Sequence, residues 1–251
     1  MIRDLGFRVE RRLTSRWTRV FGMGVIGLAA VIMLNACGGG SNSVANSSTS
    51  TTALTPTSST TVRPRSDLQS ELLTLSEVPS AWSVDKTLSG TSPGAGSVAT
   101  PSCLKNLTAL NPVGVINRAE VKFRGSSSGI PVFEEQLASF VPGSLEDRLP
   151  AYDRAIAGCG PISYTAAGYT FTGSIRPMSF PTVGDESRAY QWNVSTKVSG
   201  QSVSIGFDVV LARRGDTAVA LLTGDFPAPD VSTFQRLVAK AVSTVSNAAY
   251  V

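Results

Sequence analysis

Among the residue types that carry out chemistry in proteins, histidine is absent from all 251 positions of this chain. Histidine supplies the base of Ser-His-Asp and Cys-His nucleophile systems, many zinc ligands and much acid–base catalysis near neutral pH. All histidine-dependent sites of these kinds are therefore excluded. A catalytic site would have to be built from carboxylates, lysines and hydroxyl groups.

Two short motifs match those of serine enzymes in form. Gly125–Gly129 reads G-x-S-x-G, but a nucleophile elbow needs a strand before it, a helix after it and a histidine elsewhere. Ser102 and Lys105 form S-x-x-K, without the S-D-N and K-T-G motifs that accompany it in penicillin-binding enzymes. We interpret Gly125–Gly129 as a loop between two strands and Ser102 as a helix cap.

Three pairs of adjacent acids are the remaining catalytic candidates. Paired carboxylates hydrolyse glycosides only when both face one sugar cleft. Glu134-Glu135 should point to opposite faces of a strand, and Glu146-Asp147 suits a helix N-terminus. Asp185-Glu186 is the least explained pair, and no loop ligand spacing supports a calcium role for it. The sequence thus predicts no catalytic residue, no metal site, no cofactor and no enzyme.

Two further features have simpler structural explanations. Arg214-Gly215-Asp216 spells an adhesion tripeptide, but a hairpin between alternating strands needs glycine there in any case. Aromatic residues are dense in the middle of the chain, where they would either line a ligand cleft or form the core, and we favour the core. They are Tyr164, Tyr169, Phe171, Phe180, Tyr190 and Trp192.

Residues 1–36 are predicted to be a lipoprotein signal peptide. Six arginines and two acids precede Val20, and an uncharged apolar run follows over 20–34. That order is typical of a secretory signal, and the run is shorter than the roughly 20 residues that a spanning helix needs. Leu34-Asn35-Ala36-Cys37 resembles the bacterial lipobox, which implies cleavage before Cys37 and lipid attachment, including palmitate, to it. The alternatives are an ordinary cleaved signal and an uncleaved anchor.

The signal accounts for the basic character of the whole chain. The formal net charge is +4, and the first 19 residues contribute six positive and two negative charges. From Cys37 onward, 16 basic and 16 acidic side chains remain. The mature protein is formally neutral, so it lacks the basic footprint of a nucleic-acid-binding protein.

A disordered linker over 37–66 is predicted to precede one domain over 67–251. Residues 41–62 contain 14 Ser or Thr among 22 positions and no charge, a composition that cannot offset the entropy of ordering. As a flexible coil, the linker would span on the order of 30 Å. An O-glycosylated stalk is the alternative to a plain spacer.

One disulfide is predicted in the domain. Lipidation removes Cys37 from redox chemistry and leaves Cys103 and Cys159, an even number in an oxidising compartment. Two free structural cysteines are the alternative. Chain entropy gives such a bridge roughly 4 kcal/mol of stability.

Hydrophobic periodicity predicts an α+β domain in which helices cover an antiparallel sheet. Helices are predicted near 67–75 and 102–110, from Ser144 to Ala157 with Pro150 kinking it or delaying its start, and over 231–245. Strands are predicted over 118–124, 132–140, 189–195, 203–211 and 217–223, and the last three form a meander.

The stretch from Leu72 to Trp82 resembles the opening of actinobacterial cell-envelope sensor lipoproteins. The strand 132–140, the helix ending at Cys159 and the segment Val183–Glu186 before the meander are also similar. Together they resemble the extracellular sensor domain of PknH-type receptor kinases and related lipoproteins. The resemblance implies an antiparallel sheet with flanking helices and a cleft regarded as a ligand site. Those sensors usually carry two disulfides, whereas only one is possible here.

We therefore expect a non-enzymatic binding or sensor-type lipoprotein of the cell envelope, held on the outer face of the cytoplasmic membrane. Its partners would be the membrane, through the N-terminal lipid, and a small envelope ligand or a protein. A carrier of lipid or glycolipid is the alternative, which needs an apolar cavity of roughly several hundred cubic ångströms.

Overall fold

The computed structural model describes residues 63–85, 115–125, 131–166, 169–225 and 228–246. In these ranges, eight strands form one antiparallel sheet in the order β1-β2-β3-β8-β7-β6-β5-β4. Three helices accompany the sheet. The expected α+β class, with an antiparallel sheet flanked by helices, is confirmed.

The helices are α1 (Arg65–Ser70), α2 (Arg148–Ala157) and α3 (Val231–Thr244). The strands are β1 (Ser83–Val84), β2 (Val115–Arg124), β3 (Val132–Phe140), β4 (Ile162–Ala166), β5 (Tyr169–Pro177), β6 (Glu186–Val198), β7 (Gln201–Arg214) and β8 (Thr217–Asp225). None of the helices in the described ranges is long and apolar enough to cross a membrane.

Each face of the sheet carries its own apolar core. On one face, α3 and the segment that contains α1 pack against β2, β3, β7 and β8, with Phe234 against Phe133 and Leu68 fully buried. On the other face, Leu149 and Ile156 of α2 pack against Tyr190 and other residues of β5, β6 and β7. The central strands are therefore covered on both sides.

Several elements lie where the periodicity predicts them. Strand β3 has the predicted bounds. Strands β6, β7 and β8 form the predicted meander, and each includes the range predicted for it and extends beyond that range. Gly215, in the turn between β7 and β8, has φ +57, which explains the glycine of the adhesion-like tripeptide. The predicted apolar stripe of α3 is buried along its whole length: Phe234, Leu237, Val238, Ala241, Val242 and Val245.

Two helices have bounds that differ from the predicted ones. The helix expected over 67–75 spans Arg65–Ser70 instead, and Leu75 is 49% exposed in the turns that follow. The capping box at Ser144 does not form, because turns occupy 142–147 and α2 begins only at Arg148. Pro150 then lies in the first turn of α2, where its missing N–H removes no helical hydrogen bond.

Folded structure begins before the predicted domain boundary. The buried guanidinium of Arg63 forms an ion pair with Glu71 and donates to Thr217 Oγ1 at 3.1 Å. Its backbone oxygen accepts hydrogen bonds from Asn117 and Ser139, at 2.7 and 3.2 Å. Arg63, assigned to the linker from sequence, therefore lies against the sheet, and the chain enters the domain beside the start of β8.

Candidate functional site

A small cleft lies between α2 and the sheet. Leu149 and Tyr152 of α2 face Leu211 of β7 across it, and Ala218 and Ala220 of β8 form its floor. These alanines leave room that larger side chains would fill. The cleft measures about 40 Å³, space for about three water molecules. It is roughly tenfold smaller than the apolar cavity that a lipid carrier needs, so it does not favour that alternative.

A buried polar cluster of Lys122, Glu134 and Gln136 lies beside this cleft. Gln136 is the cross-strand neighbour of Ala220 in the cleft floor, and Glu134 pairs with Lys122 on β2. Lys122, Glu134 and Gln136 are 4%, 2% and 5% exposed, respectively. Burial of three such groups is costly unless all of them are paired.

The cluster is incompletely satisfied. Lys122 Nζ lies 3.4 Å from Glu134 Oε2, and the Gln136 amide donates to the other oxygen of Glu134. Gln136 Oε1 is buried and accepts no hydrogen bond from the residues that the structure describes. An unsatisfied buried acceptor costs about 1–3 kcal/mol. The cluster can therefore accept a hydrogen bond from a bound molecule.

Burial raises the pKa of Glu134 to about 7, against the lowering effects of Lys122 and the Gln136 hydrogen bond. The nearby carboxylate of Glu120 contributes to the increase. The cluster therefore changes its charge near neutral pH. Such a group can take or release a proton as a ligand enters.

Glu135, the adjacent residue, lies on the opposite face of the sheet and belongs to a different environment. Its Oε2 accepts the backbone N–H of Leu73 at 2.8 Å, and burial raises its pKa to about 8. Its Oε1 is buried without a hydrogen bond from any described residue. The expectation that Glu134 and Glu135 face opposite ways is confirmed, so these carboxylates do not form a catalytic pair.

Of the other two acid pairs, Asp185-Glu186 has structural contacts. Asp185 Oδ2 accepts the N–H of Gly215 at 2.7 Å and lies 3.9 Å from Arg213, and Glu186 forms an ion pair with Arg188. Glu146-Asp147 is exposed in the turn before α2, and Asp147 makes no side-chain capping bond. The described residues include no group of three or more potential metal ligands.

A polar network at one side of α2 holds the helix on β6. Tyr190 donates to Asp153 Oδ1 at 2.8 Å, and Arg188 donates to the other oxygen of Asp153. Burial and the Asp153 carboxylate raise the pKa of Tyr190, so its hydroxyl stays protonated. These contacts position one wall of the cleft.

Most of the aromatic residues singled out from the sequence form core. Phe171, Tyr190 and Trp192 are buried on the α2 side, and Phe180 packs edge-on against Phe234 of α3. Tyr169 is half-buried, and nothing is described for the Tyr164 side chain.

The other candidates lie largely outside the described residues. These are Cys37, the S-x-x-K motif of Ser102 and Lys105, Cys103, and the loop 126–130 of the G-x-S-x-G motif. Cys159 follows α2 and packs against its core. Its pairing with Cys103 and the lipid on Cys37 stay predictions.

Sequence reasoning did not identify the polar cluster. The run Glu134-Glu135-Gln136 is visible in the sequence, but polar residues in a strand ordinarily indicate an exposed face. Only the register with Lys122, together with layers on both sides of β3, shows that they are buried.

Comparisons with known proteins support the fold alone. No family model matches the chain, and neither does any curated protein. Among solved structures, the extracellular domain of PknH from Mycobacterium tuberculosis superimposes with a TM-score of 0.51 at 10% sequence identity. The match covers 73% of this chain and 97% of that domain. The fold expected from the resemblance is thus found, without detectable sequence relationship.

Proposed function

We propose that this chain is a lipid-anchored, extracytoplasmic binding domain of the sensor type, without catalytic activity. The signal features before Cys37 support export and anchorage. The likeness to the extracellular domain of PknH supports a location outside the cytoplasmic membrane. Hydrolytic activity lost on changing Lys105 or Asp185 would contradict the non-enzymatic part of the proposal.

The observation that carries the binding function is the unsatisfied cluster of Lys122, Glu134 and Gln136 beside the α2 cleft. Well-packed apolar residues in place of a buried ion pair are often neutral or stabilising. Polar groups kept at such a position therefore support a role other than stability. A small ligand with hydrogen-bond donors would satisfy Gln136 Oε1 and Glu134 together.

The size of the cleft limits which ligands can enter it without a movement of α2. At about 40 Å³ it accommodates only a small group, so a larger ligand requires α2 to move away from β7 and β8. The contacts of Asp153 with Arg188 and Tyr190 resist that movement and are partly exposed. Ligand binding would thus shift α2, which provides the conformational change of a sensor and its relay to a protein partner.

Anchorage is tested by a single substitution. Cys37→Ala should move the exported protein from the membrane fraction to the soluble fraction and abolish labelling by palmitate. Ser43→Ala, in the adjoining linker, should leave both unchanged and serves as the control. Retention of palmitate label in Cys37→Ala would refute the lipid site.

Ligand binding is tested by thermal unfolding in fractions of an envelope extract. A ligand that binds only the folded state raises the unfolding temperature. We expect one fraction to stabilise the wild type but not Gln136→Leu. Gln201→Leu, at the exposed first residue of β7, is the matched control and should respond like the wild type. Equal stabilisation of all three proteins would place the ligand elsewhere.

A further inference from the structure

A second concave surface lies at the far end of the sheet, separate from the α2 cleft. It is a shallow groove of about 340 Å³ and shares no lining residue with that cleft. Six of its seven lining residues carry a hydroxyl group, and the seventh is a lysine. They are Tyr169, Thr170, Thr172, Ser195, Thr196, Lys197 and Ser202.

The sheet register brings these groups together. Thr172 lies opposite Ser195, and Lys197 lies opposite Ser202. Thr172, Lys197 and Ser202 are exposed, whereas Phe171, between two exposed threonines, points into the core. Thr196 lies opposite Phe171, is 5% exposed and donates its hydroxyl to the backbone oxygen of Thr170 at 2.8 Å, so it supports the strand pair and leaves ligand contacts to the exposed hydroxyl groups. The strands therefore hold a surface of hydroxyl groups on rigid backbone.

The chemistry of this groove matches one kind of ligand. Hydroxyl side chains both donate and accept hydrogen bonds, as sugar hydroxyls do. Lys197 supplies a positive charge, and none of the lining residues that the structure describes is a carboxylate. We propose that the groove binds a glycan that carries acidic groups, with Lys197 facing the acid and the hydroxyl groups facing the sugar rings.

The groove lies far from the point where the linker joins the domain. Arg63 is bonded near the start of β8, next to the end of β7 at Arg214. From Arg214 to Ser202, β7 runs 12 residues, roughly 40 Å of extended chain. If the linker is lipid-anchored as proposed above, the groove faces away from the membrane, toward the polymers of the envelope. The glycan site itself does not depend on that anchorage.

The test is calorimetric titration of the full mature chain in mild detergent with short oligogalacturonate, compared with a neutral galacto-oligosaccharide of equal length. The acidic glycan should bind more tightly, and added salt should weaken it. Lys197→Gln should reduce its affinity about fivefold, the scale of one exposed ion pair. Ser202→Asp, which places a carboxylate opposite Lys197, should reduce it further.

Arg236→Gln is the matched control, since it removes one positive charge from an exposed position of α3. It should leave the affinity unchanged. Glu134→Gln, in the α2 cluster, should also leave it unchanged, which separates this site from the proposed cleft. The proposal is overturned if neither glycan binds, if both bind equally and Lys197→Gln has no effect, or if Lys197→Gln and Arg236→Gln weaken binding equally.

Discussion

Strands β3 and β5 are both nine residues long and lie in the same antiparallel sheet, yet their surroundings differ completely. Every residue of β3 is buried, although the strand contains Glu134, Glu135 and Gln136. In β5 only Phe171 and Ile175 are buried, and threonine, serine and arginine side chains alternate with them on the open face. Polar residues are thus exposed in β5 but buried in β3.

The cause of the difference is coverage of the sheet. β3 lies between β2 and β8, where α3 and the α1 segment cover one face, and Leu145, in the turn before α2, packs against Ala138 and Phe140 on the other. β5 lies next to the edge strand β4, beyond those elements, so one of its faces stays in solvent. A strand that is covered on both sides buries whatever polar residues it contains. Such residues are costly to stability in β3 and therefore indicate function there, whereas on the open face of β5 they cost little, so a binding role there rests on the groove that they line.

The largest expected effect compares one apolar residue of β3 with one polar residue of β5. Phe133 is fully buried against Phe123 and Phe234, so Phe133→Ala should lower the free energy of unfolding by about 3–5 kcal/mol. Thr172→Ala, at an exposed position, should change it by less than about 0.5 kcal/mol. Urea unfolding of both variants measures these values. Similar losses for the two variants would contradict the difference in coverage.

The second prediction concerns the pH dependence of stability that β3 imposes. Glu135 has its pKa raised from 4.5 to about 8 by burial, so the folded state binds more protons than the unfolded state between these values. Its contribution is complete below about pH 4.5 and is lost as pH rises through about 8. Glu135→Gln should remove this loss, on the order of 5 kcal/mol above pH 8.

Urea unfolding of the wild type and Glu135→Gln at a series of pH values measures that difference. Glu146→Gln is the control, because Glu146 is exposed in the turn before α2 and is not among the groups that shift the pKa of Glu135. A difference between wild type and Glu135→Gln that does not grow with pH would show that the carboxylate is not buried as described.

The third prediction tests whether the polar residues in β3 serve stability or another function. Replacing Lys122, Glu134 and Gln136 together by Met, Leu and Leu should stabilise the protein by about 1–4 kcal/mol, as for other buried ion pairs replaced by apolar residues. The matched triple replacement of Thr170 and Thr172 of β5 and Ser195 of β6 by valine, outside the β3 cluster, should gain less. Thermal and urea unfolding measure both. A destabilised β2–β3 variant would mean that the cluster serves the fold.

The sequence predicted the elements that need only one buried face to form. The alternation of β7 and the stripe from Phe234 to Val245 each need a single buried side, and both were confirmed. β4 and β5 were missed, because the hydroxyl residues that alternate with Ile162, Phe171 and Ile175 also suit loops. α2 was placed too early, since the preference of Ser144 for a cap yielded to the turns before Arg148.

The candidate site was less accessible to sequence reasoning. The cluster joins Lys122 to Glu134 across two strands, and the cleft floor joins Ala218 and Ala220 to helix α2. Both depend on register and on packing of distant segments, which no local pattern encodes. The opposed orientation of Glu134 and Glu135 follows from strand geometry alone and was predicted.

Native mass spectrometry of the mature chain, purified gently from an envelope extract, tests the central claim that the β3 cluster exists to bind a ligand. The wild type should carry a reproducible extra mass beyond its N-terminal lipid. The variant with Lys122, Glu134 and Gln136 replaced by apolar residues should lack that mass and stay folded. A bare wild-type chain, or the same extra mass on both proteins, would contradict the account.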